Sequence, residues 1–280
     1  MMIKDKYALE PNKNKNKDML VIKILIPLMI LLIAVNLIMG EYDIGFNNNS
    51  DYKTVNVLVY SGTGTSENCV NQIIKCMGQS NSQNLITGVK FKYNTSKKID
   101  NDVLEGYDVV VMPGSSEGYD YINNGDINVS DLKNFIASGK GFIGICAGAY
   151  SGAEYTDNWY YGWGLAPNVV NEPYLETGNV TIDITSAGNE ILDSTKVTIS
   201  HINGPAMSTS GSGVITFATY SNNSNYYGYA AIVGDHYGEG RTVLSGVHPE
   251  LSPQHTEMLV DLILWAYNGT DENKVTNTDA

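Results

Sequence analysis

The chain has 280 residues, a length that allows one or two domains. Hydrophobic residues make up 42% and charged residues 17%, which is enough apolar material for a packed core and excludes wholesale disorder. The formal net charge is −13, and Arg241 is the sole arginine. Because phosphate contacts require clustered cations, this composition excludes nucleic acid as a partner.

The N-terminal region combines a basic tail, residues 1–18, with an apolar segment, residues 19–40. The apolar segment is long enough to cross a hydrocarbon core of ~30 Å as a helix. Lysines before it and an acidic chain after it predict a single-pass membrane protein with a cytoplasmic N-terminus and an extracytoplasmic body. Ile38 is a poor residue for the −3 position of a cleavage site, which favours an uncleaved signal anchor over a cleaved signal peptide.

The polar, asparagine-rich residues 41–53 are predicted to be a linker, and regular patterning begins at residue 54. The predicted strands are 54–60, 89–93, 107–112, 141–145, 179–185, 196–199, 214–221, 226–233 and 241–247. The predicted helices are 66–77, 129–137 and 253–267. Apolar strands that alternate with helices indicate an α/β domain with a mostly parallel sheet covered on both faces. We assign residues 54–268 to one domain and residues 269–280 to a polar tail.

The sharpest motif is Gly-Ile-Cys-Ala-Gly at residues 144–148. A buried strand ends in Cys146, glycines lie two residues before and after it, and a helix is predicted to follow. This is the pattern of a nucleophile elbow with cysteine in place of serine. The alternative is a structural cysteine buried between small residues.

A thiolate nucleophile needs a base, and His248 is the candidate among the four histidines. It follows the predicted strand 241–247, and Glu250 lies two residues on, where a carboxylate can orient an imidazole. His236 is expected in a hairpin turn and His255 in the first turn of the last helix. His201 follows a strand, where a surface or core role is the commoner one.

These motifs resemble those of the class I glutamine amidotransferase-like superfamily, and most closely the biotin–protein ligase N-terminal-like domains. The matching stretches are VLVYSGTGTSENCV (57–70), YDVVVMPGSSEGY (107–119), GKGFIGICAGAYSGAEY (139–155), NGPAM (203–207) and TVLSGVHPE (242–250). The resemblance implies a flavodoxin-like three-layer α/β sandwich. Many relatives have Pro-Gly-Gly where this chain has Pro-Gly-Ser at residues 113–115.

Carried over residue by residue, the resemblance implies Cys146 as nucleophile, His248 as general base and then acid, and Glu250 as the residue that orients His248. It also implies an oxyanion hole formed by the backbone N–H of Ala147 and of the Gly114–Ser115 turn. We expect an amidase or glutaminase-like hydrolase that acts on small-molecule or peptide amides. The alternatives are a non-catalytic ligand-binding or assembly module and a glutamine amidotransferase subunit with a separate partner protein.

The remaining features are less specific. Cys69 and Cys76 lie seven residues apart on a predicted helix, ~10 Å along its axis, which is too far for a disulfide. We interpret both as small buried hydrophobes. No cysteine–histidine cluster has the spacing of structural zinc, so no metal and no cofactor is predicted. Aromatic residues crowd positions 155–163 and are expected to form a pocket wall.

Overall fold

The computed structural model describes residues 52–115 and 120–268. The predicted basic tail, signal anchor and polar tail, at residues 1–18, 19–40 and 269–280, lie outside the described residues, as does nearly all of the predicted linker. In the described ranges, no helix has both the length and the apolar character needed to cross a bilayer.

Thirteen strands form one mixed sheet in the described ranges. The strands are β1 Lys53–Tyr60, β2 Val89–Ser96, β3 Val109–Met112, β4 Gly141–Ile145, β5 Ala153–Thr156, β6 Tyr160–Tyr161, β7 Ala166–Glu172, β8 Thr177–Ile184, β9 Lys196–Ile202, β10 Ala206–Thr209, β11 Ile215–Tyr220, β12 Ala230–Tyr237 and β13 Gly240–Ser245. The helices are α1 Glu67–Gln83, α2 Asn101–Leu104, α3 Val129–Ala137, α4 Ala147–Gly152, α5 Ser186–Leu192 and α6 Thr256–Asn268.

The strand order is β2-β1-β3-β4-β13-β12-β10-β7-β5-β6. The first five strands of this order run parallel to their neighbours. β12 then pairs antiparallel with β13 and with β11, and β8 and β9 extend the sheet from β11 by further antiparallel pairing. The parallel part has β4 near its centre, so the carboxyl ends of β3, β4 and β13 lie side by side.

The alternation along β1 shows how the two faces of the sheet are covered. Val57 and Val59 face a core that includes Ile73 of α1 and Ile263 of α6. Leu58 faces the opposite core, with residues of α3 and α4. Both sets are buried, as expected for central parallel strands covered by helices on each face. The predicted α/β class is confirmed, and the sheet is mixed with a parallel core.

Several element boundaries differ from those predicted. Helix α1 extends to Gln83, six residues beyond the predicted end, and then stops at Asn84, which adopts a left-handed backbone with φ 52°. β12 continues to Tyr237, so His236 lies in a strand and not in a turn. His255 precedes the first residue of α6. The sequence pattern does not predict the short elements β5, β6, β7, β10, α2 and α5.

Candidate active site

Cys146 lies at the carboxyl end of β4, where the strand turns directly into α4. Its backbone has φ 54° and ψ −104°, a conformation that residues other than glycine rarely adopt. Its N–H donates to the Ser245 carbonyl oxygen at 2.8 Å, which ties the turn to the neighbouring strand β13. The sharp strand-to-helix turn expected from the glycine pattern is therefore present, and it holds Cys146 in a strained backbone conformation.

Gly144 and Gly148 are what allow a turn this sharp. A Cβ on Gly144 would lie 2.3 Å from the Gly148 carbonyl oxygen, and a Cβ on Gly148 would lie 2.2 Å from the Met112 carbonyl oxygen. Because both obstacles are backbone atoms, no side-chain rotation could relieve the clash. The two glycines are thus required by close backbone approach on either side of Cys146.

Three side chains converge on Gly114, which follows β3 and Pro113. A Cβ built on Gly114 would lie 3.0 Å from His248 Cε1, 3.2 Å from Cys69 Sγ and 3.8 Å from Cys146 Cβ. Adjacent parallel strands deliver Gly114, Cys146 and His248 to the same edge of the sheet. The structure therefore brings the predicted nucleophile and the predicted base together, and it adds Cys69 to them.

His248 and Glu250 form a buried pair beside Cys146. His248 Nδ1 lies 2.8 Å from Glu250 Oε1, and the two residues are 2% and 0% exposed. Burial lowers the pKa of His248, but the Glu250 charge and the contacts with the Cys146 and Cys69 thiols and with Glu250 outweigh it. The pKa of His248 is therefore held well above its usual range. Within the described ranges, His248 Nε2 and Glu250 Oε2 are buried and have no partner in strict hydrogen-bonding geometry, although both thiols lie near the imidazole.

Two hydrogen-bond donors bind the Gly114 carbonyl oxygen and fix the backbone there. The Gly114 carbonyl oxygen accepts from the Ser66 N–H at 2.9 Å and from the Tyr121 hydroxyl at 3.4 Å. In a trans peptide, the following N–H of Ser115 points to the opposite side. Ala147 is the first residue of α4, and an N–H at that position has no acceptor within its own helix. The placement of Ala147 and the Gly114–Ser115 turn is compatible with the predicted oxyanion hole.

The Cys146 thiol donates to the Ile202 carbonyl oxygen, with a distance of 3.3 Å from Sγ. This contact connects the site to the loop after β9, where Gly204 packs against Gly246. A Cβ on Gly204 would lie 2.0 Å from the Gly246 carbonyl oxygen. The same loop is anchored by His201, which is fully buried and faces two carbonyl oxygens, those of Glu176 and Gly204. His201 therefore holds the loop that contacts Cys146, a role that no local sequence pattern indicates.

The aromatic residues after the elbow divide into two groups. Trp163 is 5% exposed and packs edge-on against Phe142 in the core. Trp159 is 49% exposed and stacks on Tyr150 with 6.0 Å between ring centroids. The hydroxyls of Tyr150 and Tyr160 are buried, and their partners in the described ranges, the Tyr174 backbone and the Thr156 side chain, lie outside strict hydrogen-bonding geometry. Burial raises the pKa of Tyr160 to about 12, with Thr156 lowering it and the Cys146 charge adding to the rise.

Cys69 is the site residue that the sequence interpretation missed. Its N–H donates to Ser66 Oγ at 3.4 Å, so it lies in the first turn of α1, directly after the turn that follows β1. The interpretation as a buried hydrophobe fits Cys76, which is fully buried further along α1. The position of Cys69 in the sequence could have indicated its place in the site, because the first turn of a helix that follows a parallel strand lies at the carboxyl edge of the sheet.

Comparisons with known proteins find one matching family and several solved structures of similar fold. Residues 55–160 match the family described as biotin-protein ligase, N terminal. A structure described as a ThuA-like protein from Bacteroides uniformis ATCC 8492 is 14% identical, with 79% of this chain and 93% of that chain covered and a TM-score of 0.50. The β-galactosidase from Rahnella sp. R3 is 13% identical, with 75% of this chain but 30% of that chain covered and a TM-score of 0.51.

A third structure, described as a GMP synthase subunit from Thermoplasma acidophilum, is 14% identical over 76% of this chain and 94% of its own, with a TM-score of 0.48. A search of the curated proteins finds no match to this chain. The family match agrees with the predicted resemblance over residues 55–160, and the solved structures at 13–14% identity show a similar fold.

Proposed function

We propose that the protein is a cysteine-dependent amidohydrolase that attacks carboxamides through Cys146. The observation that carries this proposal is the strained Cys146 at a strand-to-helix turn, next to the buried pair His248 and Glu250 at 2.8 Å. A side chain held at positive φ costs of order 1–3 kcal/mol, and such strain clusters at sites where a group must be presented to a ligand. A purely structural cysteine gains nothing from that conformation.

The chemistry follows from the protonation states that the site favours. The raised pKa of His248 keeps its imidazole protonated at neutral pH, and the positive charge stabilises a Cys146 thiolate. The thiolate attacks the amide carbon, and the backbone N–H groups of Ala147 and of the Gly114–Ser115 turn stabilise the resulting oxyanion. His248 then gives its proton to the leaving nitrogen, so the C–N bond breaks and a thioester with Cys146 remains.

The second half of the reaction regenerates the site. Neutral His248 accepts a proton from water, and the hydroxide attacks the thioester carbonyl. The carbon–sulfur bond breaks, which releases a carboxylic acid and returns the Cys146 thiolate beside protonated His248. Glu250 accepts the Nδ1–H and balances the imidazolium charge in both half-reactions. The net reaction is amide plus water giving acid plus ammonia or amine.

The buried lining of the site favours a small or extended amide with polar groups. Among the described residues, the buried hydroxyls of Tyr150 and Tyr160 meet only the Tyr174 backbone and the Thr156 side chain, both outside strict hydrogen-bonding geometry, so a ligand that supplies acceptors could bind them. Cys146 is only 7% exposed, so the scissile amide must reach it as a narrow group such as a primary carboxamide. The membrane anchor predicted at residues 19–40 would place these substrates outside the cytoplasm.

A second candidate function, a non-catalytic ligand-binding module, is favoured by the packing of the thiol. Cys146 Sγ already donates to the Ile202 carbonyl oxygen, and Cys69 lies against the same imidazole. In this alternative the buried tyrosine hydroxyls bind a ligand and Cys146 only contacts it. A glutamine amidotransferase subunit would use the same Cys146 chemistry but pass the ammonia to a separate partner protein.

The experiment is ammonia release by the purified full chain from glutamine, asparagine and blocked peptide amides, compared with Cys146→Ala and Cys76→Ala. Hydrolysis requires loss of turnover in Cys146→Ala and normal turnover in Cys76→Ala, because Cys76 is a buried thiol that contacts Thr256 and is not among the groups that contact His248. Turnover that survives in Cys146→Ala would contradict the proposal. Ligand binding that is equal in the wild type and in Cys146→Ala, without turnover in either, would favour the binding module.

A further inference from the structure

A second thiol lies in the candidate active site, and the hydrolytic mechanism does not use it. One donor atom each of Cys69, His248 and Glu250 lie within 4.8 Å of one another. Cys69 is 5% exposed, His248 2% and Glu250 0%, so this cluster is closed to bulk water. Cys146 lies on the same side of Gly114 as this cluster and also contacts the imidazole.

The orientation of His248 is that of a metal ligand. Its Nδ1 is occupied by Glu250 Oε1 at 2.8 Å, while its Nε2 is buried with no partner in strict hydrogen-bonding geometry among the described residues. Histidines that bind a metal through one ring nitrogen almost always donate the other N–H to a carboxylate or carbonyl, which fixes the ring. Nδ1 is held by Glu250, and both thiols lie near the imidazole around Gly114, so one nitrogen and two sulfur atoms border a common space.

We propose that Cys69 Sγ, His248 Nε2 and Cys146 Sγ form an inhibitory site for Zn²⁺ or another thiophilic divalent cation, with Glu250 orienting the imidazole. Nitrogen and sulfur are the donors that Zn²⁺ takes in proteins, and three protein ligands leave a fourth position for water. The Cys146 thiol is not in the group of donor atoms within 4.8 Å of one another, so binding requires it to turn from the Ile202 carbonyl oxygen toward His248 by rotation about a side-chain bond. The bound ion would occupy both the nucleophile and the base, so metal binding and amide hydrolysis exclude each other.

Cys69 distinguishes the proposed metal site from an ordinary pair of one cysteine and one histidine. With Cys146 and His248 alone, the protein would offer two ligands; Cys69 adds a third that is buried and held by the first turn of α1. Binding displaces protons from both thiols and from Nε2, so the affinity rises with pH. The proposal goes beyond the proposed hydrolase function and does not depend on it, because metal binding is measured without substrate.

The test is a Zn²⁺ titration of the purified full chain against a chromogenic chelator, repeated with Cd²⁺ to count thiolates from sulfur-to-metal charge-transfer absorption. We expect one ion per chain and two thiolates, and one thiolate in Cys69→Ser. Loss of one ligand should weaken binding by about tenfold or more, the range seen for partners of metal ligands. Cys76→Ser is the matched control, since Cys76 is buried on the same helix, and it should bind as the wild type does.

A measurement on the unmutated chain does not depend on whether a variant folds. Zn²⁺ should slow the alkylation of Cys69 and Cys146 together, as mapped by mass spectrometry, and a chelator should restore both rates. Equal Zn²⁺ affinity in the wild type and in folded Cys69→Ser would overturn the proposal, since it would locate the ion on another group such as His236 or His255. Protection of neither thiol would overturn it as well.

Discussion

Glu250 holds His248 by a contact of 2.8 Å between Oε1 and Nδ1, with both residues removed from solvent. The pair is separated by a single residue, Pro249, and it lies in the loop after β13. The negative charge of Glu250 raises the pKa of His248 and outweighs the opposing effect of burial. The Glu250 carboxylate therefore controls the charge of the imidazole that lies beside Cys146.

We expect Glu250→Gln to slow alkylation of Cys146 by iodoacetamide at pH 7 by about tenfold or more, because a neutral imidazole no longer stabilises the thiolate. The amide oxygen can still accept the Nδ1–H, so the side-chain contact is kept and only the charge is lost. Rates are measured by mass spectrometry on the wild type and on Glu250→Gln under the same conditions. An unchanged Cys146 rate would show that Glu250 does not control the thiol.

The same pair predicts a pH dependence of stability. A histidine whose pKa is raised on folding contributes stability that is complete below its unfolded pKa of ~6.5 and lost as the pH rises through its folded pKa. The free energy of unfolding of the wild type relative to Glu250→Gln should therefore fall as the pH rises above about 6.5. Chemical denaturation at a series of pH values measures it, and a difference that grows with pH would have the wrong sign.

Gly144→Ala and Gly148→Ala should each prevent folding or destabilise the protein by several kcal/mol, of the kind seen for overpacking and backbone strain. The cause is a Cβ placed 2.3 Å or 2.2 Å from a backbone carbonyl oxygen. Gly125→Ala is the matched control, because a Cβ there meets nothing within 4 Å. Thermal unfolding of the three variants separates the cost of a Cβ that clashes with backbone from a general cost of replacing glycine. Equal unfolding midpoints in all three would contradict the predicted clash.

Asp261 on α6 offers a stability prediction away from the site. Burial raises its pKa to about 7, with Glu257 and Asp193 adding to the rise. A carboxyl with a raised folded pKa binds a proton that the unfolded chain has already lost, so stability falls as the pH rises from about 4 to about 7. Asp261→Asn should remove this dependence and raise the free energy of unfolding at pH 8 by about 1–2 kcal/mol. Glu257→Gln should give a smaller gain, and no gain from Asp261→Asn would contradict the assigned charge penalty.

Much of the parallel core could be predicted from sequence, because its strands are continuous apolar runs closed by glycine or proline. The run 141–145 followed by Cys146 and the helix 129–137 agree with the structure at their boundaries. The antiparallel half was harder to predict. Strand β10 carries polar residues at its exposed positions and β7 carries the buried polar residue Asn171, and pairing with partners distant in sequence determines both strands.

The part of the site whose residues are close in sequence could be predicted. The part whose residues are distant in sequence and meet only in the folded chain could not. His248 and Glu250 are two residues apart, so their pairing could be anticipated from spacing. Cys69 reaches the same imidazole from another helix, 77 residues before Cys146, and only the order of parallel strands brings it there. A spacing rule for zinc in sequence could not detect a cluster whose members come from α1, the elbow and the loop after β13.

The strain at Cys146 can be measured separately from its chemistry by comparing Cys146→Gly with Cys146→Ala. Both variants lose the thiol, but glycine adopts φ 54° and ψ −104° without the steric cost that alanine retains. The flexible glycine also stabilises the unfolded chain by roughly 0.5–1 kcal/mol, which offsets part of the relief. We therefore expect Cys146→Gly to exceed Cys146→Ala in free energy of unfolding by about 1 kcal/mol, measured by denaturant titration. If alanine is the more stable of the two, the turn is not strained, and the conformation of Cys146 loses its value as an indication of function.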